Sequence, residues 1–204
     1  VAITSPFVPV RGGTAVVEAR FKNSSATDFR FFLGFQETVS LTETVNPYTL
    51  SGTSLTSNAA GEVAGFYYDS AATTDDFRFM AGANSAASTT ARARAGYKVA
   101  GLNSNPTTLG ALGIRAGATL VADRWMIARV ELDPDGTCRG FFGEVTAAGG
   151  QAHAPFLIAT LEAGELSTTA VYYPIVQLLA SSTGDPTPEI DYFGFTCNRD
   201  WNDD

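Results

Sequence analysis

Two stretches alternate apolar and polar residues with a period of two. Over Trp125–Asp133, Met126, Ala128, Val130 and Leu132 fall on one side, and Arg129, Glu131 and Asp133 fall on the other. That spacing predicts a strand with one buried face. The next residues are Pro134-Asp135-Gly136, where Pro presets φ, Asp caps the turn and Gly takes the positive φ, so the chain folds back into Thr137–Phe142 as a hairpin. Thr14–Lys22 alternates in the same way, and Asn23-Ser24-Ser25 turns it.

Other apolar runs are short, aromatic and bounded by turn residues. Arg30–Gln36, Glu62–Tyr68 and Phe77–Ala81 read as strands, with Asp69–Asp76 connecting the last two. Pro155–Leu161, Ala170–Leu179 and the closing Glu189–Cys197 follow, the last one after the turn Gly184-Asp185-Pro186. Residues 40–61, 84–94 and 101–121 are rich in small and polar side chains and read equally as long loops or small-residue strands. Long loops in a compact domain usually have a use, so these are the expected contact surfaces. About ten strands, no long helix and no βαβ alternation predict an all-β, two-sheet antiparallel sandwich of the jelly-roll kind.

Composition sharpens this picture. Fourteen Phe and seven Tyr favour strands, and 204 residues suit one sandwich: an extended arm over 1–13, then a jelly-roll domain over 14–204. A net charge of −8 repels phosphate backbones and excludes nucleic acid as the expected partner. No apolar run approaches the ~20 residues of a membrane span, so no membrane partner is expected. No leader is visible, but the sequence opens on Val1, so that absence carries no weight. Cys138 and Cys197 have neither metal-site spacing nor disulfide-framework density; buried free thiols are the expectation and one long-range disulfide is the alternative.

Three pieces, in order, resemble one family: Val17–Phe21 with Phe32–Phe35, then Asp123-Arg124-Trp125 leading into Ala128–Arg139, then Glu189-Ile190-Asp191-Tyr192. The chain is similar to the concanavalin A-like (laminin G-like) jelly roll, in particular to stand-alone versions among bacteriophage structural proteins. There a Trp opens a strand, an acidic-Gly hairpin is followed by Arg, and an Asp-Tyr strand closes the fold. The resemblance spans roughly residues 14–197 as a scaffold. It departs at Gly140-Phe141, where a larger core residue is common, and in the long loops at 40–61 and 84–121. It implies a virion protein that is not an enzyme, a capsid decoration (cement) or fibre domain binding through strand faces and loops. Its expected partners are further copies of itself, as a dimer or trimer, and a major capsid protein. The alternative is a carbohydrate-binding, lectin-like module, secreted or at a cell surface, with a glycan as partner.

Hydrolases of that family carry Glu-x-Asp-x-Glu on one strand, with two carboxylates ~5–5.5 Å apart for retention. Glu131-x-Asp133-x-Asp135 has the spacing, but Pro134 and Gly136 put its end in a turn, as solvated acids. Glu189-x-Asp191 lacks the third acid. The one histidine, His153, sits in a Gly-rich loop, and no Gly-x-Ser-x-Gly elbow occurs. One His and two separated Cys do not make a zinc site. No catalytic, cofactor-binding or metal residues are therefore assigned and no cofactor is expected, although the resemblance allows a structural calcium on acids such as Asp69, Asp75, Asp76 and Asp185. For a sugar, Tyr67, Tyr68, Tyr97, Tyr172 and Tyr173 offer stacking faces or, alternatively, core packing. The arm, with Pro6 and Pro9 among Val1, Ile3, Phe7, Val8 and Val10, either packs back beside the closing strand or docks on a neighbouring subunit or the shell.

Overall fold

The alternation in the sequence becomes a sandwich of two antiparallel sheets. The computed structural model describes residues 6–25, 29–37, 48–51, 54–57, 61–70, 78–83, 122–144, 155–161, 163, 166–180 and 187–197. A 3₁₀ turn (Pro9–Arg11) precedes β1 (Ala15–Asn23), β2 (Phe29–Gln36), β3 (Tyr48–Ser51), β4 (Ser54–Ser57), β5 (Glu62–Asp69) and β6 (Arg78–Ala83). Then come β7 (Met126–Leu132), β8 (Cys138–Glu144), β9 (Phe156–Leu161), β10 (Tyr173–Ala180) and β11 (Pro188–Cys197). One sheet runs β11-β1-β7-β8-β9 and the other β10-β2-β5-β6. The two-sheet, jelly-roll class expected from the sequence is what the chain adopts. β3 and β4 form a separate hairpin inside the 40–61 stretch, where strand and loop were equally legible. The long stretches at 84–94 and 101–121, the Asp69–Asp76 connection from 71 onward, His153, Tyr97, Asp75, Asp76 and Asp185 lie outside the described residues.

Aromatic rings join the sheets. Phe21 of β1 stacks on Phe31 of β2 with centroids 4.0 Å apart, and Phe142 of β8 meets Phe66 of β5 at 5.6 Å. Phe66 also packs on Phe79 of β6 at 5.1 Å. Gly140 explains the departure from the family pattern: a Cβ there would lie 2.4 Å from the Phe79 ring, so the ring takes the space a larger residue would fill. Gly34 and Gly65, partners across β2 and β5, are likewise too close for side chains, since a Cβ at 34 would lie 2.0 Å from the Ala64 carbonyl oxygen. Phe32, Val63 and Tyr67 point away from this core and are also buried, so β2 and β5 are covered on both faces.

The hairpin turn closes as its residues require. Asp133 N–H donates to the Thr137 carbonyl at 2.8 Å, Gly136 N–H to Asp133 at 3.0 Å, and Gly136 has φ 85°. The cysteines are both free, Cys138 buried and Cys197 half-buried. Register places them in one row, Cys197–Ala15–Leu132–Cys138, three strands apart. At ~4.8 Å per strand that is ~14 Å, twice the ~7 Å limit for a disulfide.

Within this single chain the described part of the arm, from Pro6 onward, packs back on its own sandwich. Phe7 is buried against Phe35, Tyr172 and Phe195, with centroids 5.1, 5.9 and 5.8 Å away. The extended reading is corrected at its end: Pro9 opens the 3₁₀ turn, since its missing N–H is no loss at the first helical position.

Gly140→Val should overpack the Phe79 contact and lower stability by about 2 kcal/mol. Urea unfolding followed by tryptophan fluorescence checks this; an unchanged midpoint would mean that the Gly140–Phe79 fit does not constrain the core.

Candidate functional site

The outer face of the five-stranded sheet gathers most of the polar residues singled out in the sequence. β1 is buried at every second residue, which turns Glu18, Arg20 and Lys22 outward. Arg129 and Glu131 of β7 and Arg139 and Phe141 of β8 share that face, because Glu18 pairs with Arg129, Arg129 with Phe141 and Glu131 with Arg139. On β11 a bulge opposite Arg20/Phe21 leaves Asp191 without a register partner. Both it and Tyr192 then reach outward contacts, Asp191 to Arg20 and Tyr192 to Glu18.

These side chains form one connected chain across four strands. The Tyr192 hydroxyl donates to Glu18 Oε1 at 2.5 Å, and Glu18 Oε2 lies 3.9 Å from Arg129 Nη1. Arg129 Nη2 donates to Glu131 Oε1 at 2.5 Å, and Arg139 Nη1 to Glu131 Oε2 at 3.1 Å. Arg139 Nη2 donates to Asp133 Oδ2, and the Thr14 hydroxyl to Asp133 Oδ1 at 2.7 Å. Beside this row, Arg20 Nη1 donates to Asp191 at 2.5 Å and Lys22 pairs with Glu189 at 3.1 Å. Trp125 lies under both cations, 4.6 Å from the Arg20 guanidinium carbon and 5.0 Å from Lys22 Nζ. The Arg129 guanidinium sits 5.6 Å from the Phe141 ring.

The picture of Glu131, Asp133 and Asp135 as solvated acids is therefore corrected. Only Asp135 is exposed; the Glu131 and Asp133 side chains are 13 % and 15 % exposed, and all four of their oxygens accept a donor. Asp135 accepts Thr137 N–H at 2.8 Å, which holds its carboxyl below its ordinary range. Glu189 and Asp191 are exposed at the sheet edge, each on its cation. Tyr67, Tyr68 and Tyr172 are buried, so of the proposed stacking tyrosines these serve packing. Asp69 is not open to calcium: it is buried, taking Arg30 Nε and the Tyr67 hydroxyl, both at 3.0 Å. Among the described residues no three His, Cys, Asp or Glu side chains are grouped as a metal would need.

Sequence reasoning placed Arg129 on the polar face of its strand but gave Glu18, Arg20 and Lys22 no role and paired none of the four. Their signal was present in the alternation of charge at every second residue on two strands, but cross-strand register was needed to read it. Also missed was Glu62, which accepts the Tyr172 hydroxyl and Ser167 N–H, the latter at 2.7 Å.

No family model matches the chain, and no curated protein does. Among solved structures, a β-1,3-glucanase from Mycobacterium marinum aligns with 96 % of this chain at 12 % identity and a TM-score of 0.43. This chain spans 66 % of that enzyme's length. A match at this level assigns no activity. The expectation that the chain is not an enzyme is nevertheless corrected: the protein it aligns with is an enzyme, and the lack of a familiar triad is by itself no ground for excluding catalysis.

Three groups give the fold an alkaline limit. Burial, then the Asp133 charge, pushes the Cys138 thiol up; burial, then Glu62, raises Tyr172; burial, then Glu18, raises Tyr192. The native state thus favours the protonated forms. Their contribution is complete below the unfolded values, about 8.5 for Cys and about 10 for Tyr, and is lost as pH rises above them. The urea midpoint should be level near neutrality and fall steadily from about pH 9. A midpoint unchanged to pH 11 would contradict the burial of Cys138 and Tyr172.

Proposed function

We propose that the outer face of the five-stranded sheet is a carbohydrate-recognition face. The observation that carries this reading is a connected row of paired guanidinium and carboxylate groups, flanked on one face by Trp125, Phe141 and Tyr192. A sugar ring presents an apolar C–H face and a rim of hydroxyls that donate and accept. Half-exposed aromatic rings suit the first, and fixed donors and acceptors suit the second. The face also has an apolar end, where Leu157 of β9, 42 % exposed, pairs with Phe141. Fixing charged side chains in advance removes the ordering cost that a ligand would otherwise bear.

A second reading places the chain on a phage particle as a decoration or fibre domain, with the major capsid protein as partner. It is supported by the placement of three of the four resembling stretches on one sheet, Val17–Phe21 on β1, Ala128–Arg139 on β7 and β8, and Asp191-Tyr192 on β11, with Phe32–Phe35 on β2 of the other. Co-sedimentation with capsids tests it.

For the leading reading, an array of neutral and charged glycans should show saturable binding. Tyr192→Ala and Phe141→Ala should each weaken it by about tenfold, the loss of roughly 1.4 kcal/mol of contact. Absence of binding across the array, or binding that both variants leave intact, would overturn the assignment. Reducing ends released by the parent and not by Glu131→Gln would make the same face a cleaving one.

A further inference from the structure

The four cations described on the outer face of the five-stranded sheet are already paired: Arg20 with Asp191, Lys22 with Glu189, Arg129 with Glu131 and Glu18, and Arg139 with Glu131 and Asp133. Five carboxylates thus meet four cations, on a chain whose net charge is −8. The Nε atoms of Arg20 and Arg129 make no hydrogen bond, but both are closed to solvent and offer an anion nothing. An anionic ligand would have to take a guanidinium from its carboxylate, and the two carboxylates on Arg139 are too buried to be left unpaired at little cost. A hydroxyl makes no such demand. Arg carries five N–H donors, so a neutral oxygen shares the guanidinium with its carboxylate and displaces nothing.

Register lays outward residues in one row across all five strands: Gly194 on β11, Glu18 on β1, Arg129 on β7, Phe141 on β8 and Leu157 on β9. The charges stand in the middle of the row and the apolar groups at its ends. At one end Phe141 pairs with the exposed Leu157. At the other, a Cβ on Gly194 would meet nothing within 4 Å, so the space beside the next outward residue, Tyr192, is open, and that side chain is 38 % exposed. β8 and β11 lie three strands apart, ~14 Å at ~4.8 Å per strand, which is more than one pyranose ring covers. We propose that the ligand of this face is an uncharged chain of several linked sugar rings, laid across the strands from Phe141 and Leu157 to Tyr192. The inference rests on the carbohydrate reading and narrows its ligand in two respects, charge and length.

The test is calorimetric titration of the full-length chain with neutral glucose, mannose and xylose chains of one, two and six rings, and with six-ring uronate and sulfated chains. A neutral six-ring chain should bind at least about tenfold tighter than its single ring, because the second contact is made within the same ligand. Its affinity should change by less than about twofold between ~0.05 and ~0.5 M salt, since it brings no charge to screen. Tyr192→Ala and Phe141→Ala should each cost about tenfold on the six-ring chain and less than about twofold on the two-ring chain, which docks at whichever end remains. A uronate or sulfated chain that binds tighter than its neutral counterpart, or a single ring that binds as well as six, overturns this inference and leaves the carbohydrate reading standing. Absence of binding to every chain overturns both.

Discussion

The outer face of the five-stranded sheet depends on Arg139. Its guanidinium reaches two carboxylates on the neighbouring strand, Glu131 and Asp133, and these are the acids closest in spacing to a catalytic set. Through Glu131 the chain continues to Arg129, Glu18 and Tyr192, and through Asp133 to Thr14 at the mouth of β1. Partly buried carboxylates are expensive to leave unpaired, so each member holds its neighbours in place. The acids at this hairpin act first as fixed points of a surface. Any chemistry on that face starts from carboxylates already bonded to donors.

Beneath it, the same strands turn aromatic and small side chains toward the second sheet. The fit of Phe79 over Gly140 and the Phe21–Phe31 stack leave little freedom for the sheets to slide, because interiors packed at crystal-like density transmit displacement. A rigid core beneath a pre-paired face is the combination that a recognition surface needs. Phe7 closes one flank of this core by packing against Phe35, Tyr172 and Phe195.

Much of the fold was legible because the signals were local. Alternation in Thr14–Lys22 and Trp125–Asp133, and the Pro134-Asp135-Gly136 turn, gave strands within a residue or two of β1, β7 and β8. β3 and β4 were not separable from loop, since Ser and Thr hydroxyls bond to backbone in either state. The burial of Phe32, Val63 and Tyr67 was also hidden: a strand covered on both faces has no alternation to read. For the site, the resembling stretches contain Glu18, Arg20, Arg129, Glu131, Arg139, Asp191 and Tyr192, but do not show which of them meet. Glu18 and Arg129 are 111 positions apart and meet only through strand order, which periodicity does not contain. The seat of Phe7 is long-range in the same sense, assembled from residues 35, 172 and 195.

The central claim, that the guanidinium–carboxylate chain holds the outer face of the five-stranded sheet together, is tested most directly by a double-mutant cycle. Glu131→Gln and Arg139→Met, singly and together, are unfolded in urea and compared with the same cycle on the exposed pair Lys22–Glu189. The account predicts a coupling of about 1.5 kcal/mol for Glu131–Arg139, against about 0.5 kcal/mol or less for the exposed pair. Equal couplings in the two cycles would contradict it, and would reduce the chain of charges to ordinary surface decoration.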